Sequence, residues 1–338
     1  MTGLSDTFNR PINYLRISVT DRCNLRCSYC MPTEGIQLLS HDDILTYEEI
    51  VAAARVAAEM GINKLRLTGG EPLVRARLTD LVAMLAMIGT IDDISLTTNG
   101  VLLQDYARDL KAAGLKRVNV SLDTLNPDKF ERITHHRKLN QVLKGIEAAK
   151  SCGLEPVKIN MVVMRGINDD EILDFARLTI KDGWHVRFIE LMPFALENPH
   201  EGQSLKGKSN IHPQFVSAQE IKERLSSLGK LEPSDTMKGN GPARYYRFPK
   251  ASGTAGFITP ISEHFCVHCN RLRLTAEGKL RPCLLSDDEI DLREALRQGA
   301  PSQKIRQLIT EAIQTKPKNH QLAQEPVVIK RRMSQLGG

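Results

Sequence analysis

The sequence predicts an α/β fold in which six consecutive βα units are followed by a smaller α+β region. Three observations carry this. Short runs rich in Ile, Val, Leu and Thr alternate with amphipathic helical stretches from Tyr14 to about Leu191. The polar motifs fall at the C-terminal ends of those runs, where barrels and open α/β sheets both place their chemistry. Beyond Glu197 the composition shifts to Gly, Ser, Asn, Lys and His with Pro199 and Pro213, which reads as a long loop leaving the first unit.

The six strands are expected at Tyr14–Val19, Lys64–Thr68, Asp93–Thr98, Arg117–Leu122, Val157–Val163 and His185–Leu191. Helices join them, as over Thr46–Met60, where Ile50, Val51, Ala54, Val56 and Ala57 recur at helical spacing. Periodicity alone does not separate a complete or partial barrel from an open doubly wound sheet. After the loop come a helix at Ala218–Leu228 and β-like runs at Tyr245–Phe248, Leu272–Thr275 and Lys279–Cys283. Two more helices follow, at Asp291–Gln298 and Gln303–Gln314.

With 338 residues, 41% apolar and 25% charged, the chain can bury a large core. A formal charge of +6 is too small an excess for a protein that coats nucleic acid, but it favours an anionic substrate or a phosphate-bearing cofactor. No stretch approaches the ~20 apolar residues of a spanning helix, and Met1–Asn13 lacks the features of a signal peptide, so a soluble, cytoplasmic protein is expected. Of seven cysteines, six form two tight groups and Cys152 stands apart, a pattern that suits metal binding better than a disulfide framework.

Cys23-x-x-x-Cys27-x-x-Cys30 follows the first strand in a loop that also carries Asp21, Arg22 and Asn24. Three thiolates can hold three irons of a cubane and leave the fourth open for chemistry. A zinc site is the alternative, with His41 as a distant fourth ligand, although structural zinc is normally closed and no Cys or His follows at knuckle spacing. Cys266-x-x-Cys269, with Cys283 thirteen intervening residues later, repeats the arithmetic. There a zinc ribbon completed by His264 or His268 stands equally open.

Thr68-Gly69-Gly70-Glu71-Pro72 ends the second strand. Alone it is an ordinary βα turn, though paired glycines let backbone approach a ligand closely. Asn119, Ser121 and Asp123 alternate along one face of the fourth strand, and Arg271 and Arg273 share a face beside the second cysteine set. Paired guanidiniums suit a triphosphate, which arginines would have to bind because the chain has no P-loop. Arg16, Lys64, Arg66 and Lys158 also lie on strands expected to be central, where burial without an anionic partner is expensive. His135, His136, His200, His212 and His320 are read as surface residues and Cys152 as an inert buried thiol.

The first motif, with Tyr29 before its last cysteine, resembles the radical S-adenosylmethionine enzymes. The longer stretch Arg16-Ile-Ser-Val-Thr-Asp-Arg-Cys-Asn-Leu-Arg-Cys-x-Tyr-Cys-Met-Pro32 is similar to the signature of the GTP 3′,8-cyclases of molybdenum-cofactor biosynthesis. This resemblance runs from Arg16 to Gly338 and implies an incomplete (βα)6 TIM-type barrel over residues 1–195, with a substrate-binding region over 196–338. It implies two [4Fe-4S] clusters. One, on Cys23, Cys27 and Cys30, chelates S-adenosylmethionine for cleavage to a 5′-deoxyadenosyl radical; the other, on Cys266, Cys269 and Cys283, meets the purine of GTP.

By the same resemblance Tyr29, Gly70, Ser121 and Met192 contact the S-adenosylmethionine, Gly70 at its amino group, Ser121 at its carboxylate and Met192 at its adenine. GTP contacts are implied for Arg16, Arg66, Thr97, Lys158 and the Arg271-Leu272-Arg273 segment, and catalytic roles for Arg271, Arg273, Gly337 and Gly338. A flavodoxin- or ferredoxin-type reductant and a homodimer follow as family expectations, with neither membrane nor nucleic acid as a partner. The rivals are a radical peptide-modifying enzyme, whose arginines would bind an acidic peptide, and a zinc-stabilised nucleic-acid-binding module.

Overall fold

The protein's structure is a computed structural model that describes residues 3–32, 35–192, 213–237, 241–320 and 331–337. The boundary expected at residue 195, most of the loop after it and Gly338 lie outside the described residues. All six expected strands form within a residue or so of their predicted ends: β1 (Tyr14–Ser18), β2 (Lys64–Thr68), β3 (Asp93–Thr98), β4 (Arg117–Ser121), β5 (Lys158–Val163) and β6 (His185–Glu190). They pair in parallel in chain order.

Helices α1 (Tyr47–Glu59), α2 (Leu78–Ala86), α3 (Leu103–Ala112), α4 (Pro127–Thr134), α5 (Leu139–Ser151) and α6 (Ile172–Lys181) connect the strands. The first begins where the sequence says it should. Thr46 accepts from the Glu49 N–H at 3.2 Å while the Glu49 carboxylate accepts from the Thr46 N–H at 2.7 Å, a reciprocal capping box.

Leu15, Ile17, Leu65, Leu67, Ile94, Leu96, Val118, Val120, Ile159, Met161, Val186 and Phe188 are buried in one continuous core with the helices. A parallel sheet covered on both faces reads as near-continuous apolar runs. Here polar residues alternate with the apolar ones, so the second face lines a cavity into which charged side chains are set.

The region after the loop supplies β7 (Glu232–Pro233), β8 (Arg244–Arg247), β9 (Thr254–Ile258), β10 (Arg271–Leu274), β11 (Lys279–Arg281) and β12 (Ile290–Asp291). These do not build a sheet of their own. The β9 strand pairs in parallel beside β6, and β10 pairs in parallel beside β1, so the parallel run has eight members in the order β10-β1-β2-β3-β4-β5-β6-β9. Antiparallel extensions β11-β12 and β8-β7 continue the two edges, and β1 and β6 do not pair with each other. The barrel is therefore incomplete.

Helix α7 (Ala218–Leu225) ends in a 3₁₀ turn at Ser226–Leu228, which completes the predicted helix with tighter bonding. Helices α8 (Arg293–Arg297) and α9 (Ser302–Gln314) pack near α1, and a final short helix, α10 (Met333–Leu336), was not predicted.

Candidate active site

The inner face of the parallel strands encloses a cavity of about 310 Å³. Strand register stacks its charges. Arg16 lies between Arg66 and Arg273, and Tyr14 between Lys64 and Arg271. Lys158 lies between Asn119 and His185, and Asn160 is level with Arg187. With Arg117, these cations line one space with two carboxylates, Asp93 and Asp123. Asp93 is paired with Arg117, and Arg187 donates to the side-chain amide oxygen of Asn119.

The cations repel one another. Burial, with Arg187, Arg117 and Arg66 adding, pushes the Lys158 ammonium down to about 6. Burial, with Arg66 and Arg271 nearby, lowers Arg16 to about 10, and burial beside Arg16 and Arg271 holds Arg273 well below its ordinary value. Such a space is built for a polyanion, which would relieve both the desolvation and the repulsion.

Cys23, Cys27 and Cys30 all line the cavity. Their loop is held by β2: Gly70 N–H donates to the Thr20 carbonyl at 2.8 Å and Glu71 N–H to the Arg22 carbonyl at 2.8 Å. A Cβ on Gly70 would lie 2.4 Å from the Arg22 carbonyl oxygen, so only glycine permits this approach. Glu71 is buried and accepts from the Thr98 hydroxyl at 2.7 Å, the Asn99 N–H at 2.6 Å and the Leu73 N–H at 3.0 Å, which ties the ends of β2 and β3 together. Burial raises its carboxyl to about 7 despite those donors.

The Tyr29 hydroxyl donates to Asp123 at 2.7 Å, and Asp123 also accepts from the Val162 N–H at 2.8 Å. Burial raises Asp123 to about 6. Burial, then repulsion from Cys23, lifts the Cys30 thiol to about 12, and burial with Cys30, Asp123 and Cys23 lifts Cys27 well above its ordinary value. Three desolvated sulfurs within electrostatic reach of one another fit a cationic iron cluster, which removes both penalties.

Cys266, Cys269 and Cys283 line the same cavity. The Lys316 ammonium donates to the Arg271 and Pro282 carbonyls at 2.9 and 2.5 Å, and Arg10 donates to the Cys266 carbonyl at 2.8 Å, so cations brace this second set from behind. Burial raises the Cys269 thiol, but Arg271 and Lys316 overcome it and bring it down to about 6. A sulfur that sheds its proton this readily suits iron ligation. Among the described residues no group of three or more His, Cys, Asp or Glu is placed to hold a single metal ion. The histidines that would complete a zinc site, His41, His264 and His268, are exposed.

Arg66, Thr97, Ser121, Met192, Arg271 and Arg273 also line the cavity. Leu272 does not: it is 0% exposed and faces the core, because strand alternation turns it away from its neighbours, so a ligand could meet only its backbone. Gly337 reaches the site, its carbonyl accepting from Arg273 at 3.3 Å. Gly338 lies outside the described residues.

Several lining residues escaped the sequence reading. Arg117 shares the two-residue alternation that revealed Asn119, and Arg187 lies on a strand expected to be central, the signal that singled out Lys158, so both could have been found. His320, read as a surface residue, instead lines the cavity, where burial lowers it to about 4. Nothing in its polar sequence context signals this. Cys152 caps α5 and is half-buried rather than buried.

Residues 17–179 match the radical SAM superfamily and residues 184–322 match the family described as Molybdenum Cofactor Synthesis C. A GTP 3′,8-cyclase from Moorella thermoacetica is 51% identical over 338 residues, covering 99% of this chain and 100% of the relative. One from Pelotomaculum thermopropionicum is 52% identical over 336 residues, covering 99% and 100%.

Among solved structures, Streptococcus suis SuiB aligns over 96% of this chain and 78% of its own with a TM-score of 0.60 and 13% identity. The structure of anSMEcpe with bound S-adenosylmethionine aligns over 97% and 88% with a TM-score of 0.56 and 14% identity. At those identities the likeness speaks for the fold alone.

Proposed function

The chain belongs to the GTP 3′,8-cyclase family within the radical S-adenosylmethionine superfamily, and from this we infer that it converts GTP to 3′,8-cyclo-7,8-dihydro-GTP in molybdenum-cofactor biosynthesis. Its cofactors are S-adenosylmethionine and two [4Fe-4S] clusters. When bound, the cofactors would supply a 5′-deoxyadenosyl radical able to take the 3′-hydrogen of GTP; forming the C3′–C8 bond opens the C8=N7 double bond, and the dihydro product then requires one further electron and one proton at N7. The observation that carries the reading is that both cysteine sets and the stacked cations line one cavity.

We assign the residues as follows. Cys23, Cys27 and Cys30 hold the first cluster, with Tyr29, Gly70, Ser121 and Met192 around the S-adenosylmethionine. The Gly70 N–H is engaged by Thr20, so its carbonyl is the group that accepts from the methionyl ammonium. Cys266, Cys269 and Cys283 hold the second cluster, which receives the guanine. Arg16, Arg66, Thr97, Lys158, Arg271, the Leu272 backbone and Arg273 bind the rest of GTP. Arg271 and Arg273 also stabilise charge that develops on the substrate, and Gly337 and Gly338 are assigned a catalytic role beside them.

Holding the nucleotide rigidly beside the radical source, out of water, is the protein's part in the chemistry. Residues 1–195 are the partial barrel and 196–338 the substrate-binding region of this scheme. A flavodoxin- or ferredoxin-type reductant, a homodimeric state and a cytoplasmic location complete it; among the described residues no helix is long and apolar enough to cross a membrane.

Anaerobically reconstituted protein should consume GTP and S-adenosylmethionine together and release the cyclised nucleotide with 5′-deoxyadenosine. Formation of 5′-deoxyadenosine without any cyclised nucleotide would remove the substrate assignment.

A further inference from the structure

Resting on the reading that Gly337 and Gly338 act within the active site, we propose that Glu289 and Arg331 are positioning residues: they form a clasp that docks the 331–337 segment in the cavity and ties it to the loop carrying Cys283. Arg331 lies two residues before α10, and its guanidinium is gripped from two sides. Its Nε and Nη2 donate to the two Glu289 carboxylate oxygens at 2.5 and 2.8 Å, a bidentate fork, while Nη1 pairs with Glu277. Glu277 sits in the turn between β10 and β11 and is 6% exposed.

Glu289 has a second partner. Arg281 on β11, 1% exposed, donates to the same carboxylate and to the Ser286 carbonyl. The Arg281–Glu289 pair thereby closes the loop 282–288, on which Cys283 lies. One carboxylate joins the strand, the cysteine loop and the docked segment.

Beyond the clasp the segment is threaded inward. Ser334 is 2% exposed and lines the cavity. Gly337 adopts φ 74°, and a Cβ there would come 3.0 Å from Thr68 Cγ2 and 3.2 Å from Ser18 Cβ. Arg273 anchors its carbonyl at 3.3 Å. A four-residue helix has no stability of its own, so its place depends on what grips it at either end. The half-buried Arg331–Glu289 pair differs from an ordinary surface pair because its other partners, Arg281 and Glu277, are buried and lose compensation when either is removed.

The test uses reconstituted holoenzyme carrying Arg331→Met or Glu289→Gln, both of which keep Arg332. Tryptic cleavage after Arg332 should be about tenfold faster in each variant, and the ratio of cyclised nucleotide to 5′-deoxyadenosine about tenfold lower, with GTP affinity within about threefold of the parent. Adding Gly337→Ala to Glu289→Gln should lower the ratio no further, because residues that act as a unit are non-additive.

Parental cleavage rates and ratios in both variants would overturn the clasp, as would losses that multiply in the double variant. If Arg331→Met fails to fold, Glu289→Gln decides alone, since its amide keeps the side chain's shape. If the parent protein makes no cyclised nucleotide, the functional reading fails, and the cleavage rate still decides the clasp.

Discussion

In the proposed GTP site, Lys158 is the residue whose protonation should report the ligand. Its ammonium is depressed from 10.5 to about 6 by burial and by Arg187, Arg117 and Arg66. The unfolded chain therefore holds a proton across the interval between about 6 and 10.5 that the native chain has released. This group's cost to stability is largest below that window and fades as pH rises through it. A bound triphosphate reverses the depression, so GTP binding should take up a proton above pH 6, and affinity should fall as pH rises, by at most about tenfold per pH unit. Calorimetry in buffers of different ionisation enthalpy reads this directly. Lys158→Met should abolish the buffer dependence, and a parent protein without any such dependence would contradict the account. Placement on strands expected to be central made Arg16, Arg66 and Lys158 legible, and a shared strand face beside the second cysteine set did the same for Arg271 and Arg273. His320 was not legible, because it reaches the cavity from a loop through tertiary placement alone.

At the scale of elements, the cysteine loop depends on the end of β2. Gly70→Ala would set a methyl 2.4 Å from the Arg22 carbonyl oxygen and 2.8 Å from that of Asp21, and both are backbone atoms that cannot rotate away. We expect a cost of about 1–3 kcal/mol, a lower melting temperature and loss of iron from the first cysteine set with the second set filled. Unchanged melting and full iron content would refute this coupling. The six βα units could be read from sequence because each pairs a β-rich run with a helix of clear period. The β9 strand, Thr-Ala-Gly-Phe-Ile, could not: it is short, contains a glycine and owes its state to pairing with β6. Its place beside β6, like that of β10 beside β1, is a long-range decision that local propensity does not encode.

Across the whole molecule, the C-terminal region extends the partial barrel's wall at both edges rather than standing next to it. Strand β10 brings Arg271 and Arg273 level with Tyr14 and Arg16, so residues more than 250 positions apart in sequence form one layer of the site. That joint wall puts two cysteine sets on one cavity, and anaerobic iron analysis should give about eight irons per chain, falling to about four when either set is replaced by serine. The division of labour between the sets is the central claim. The measurement that tests it most directly is anaerobic turnover with Cys266, Cys269 and Cys283 all changed to serine. The account predicts that 5′-deoxyadenosine still forms while the cyclised nucleotide disappears, whereas the same change at Cys23, Cys27 and Cys30 removes both products. Cyclised nucleotide at the parental ratio from protein lacking the second set would contradict it.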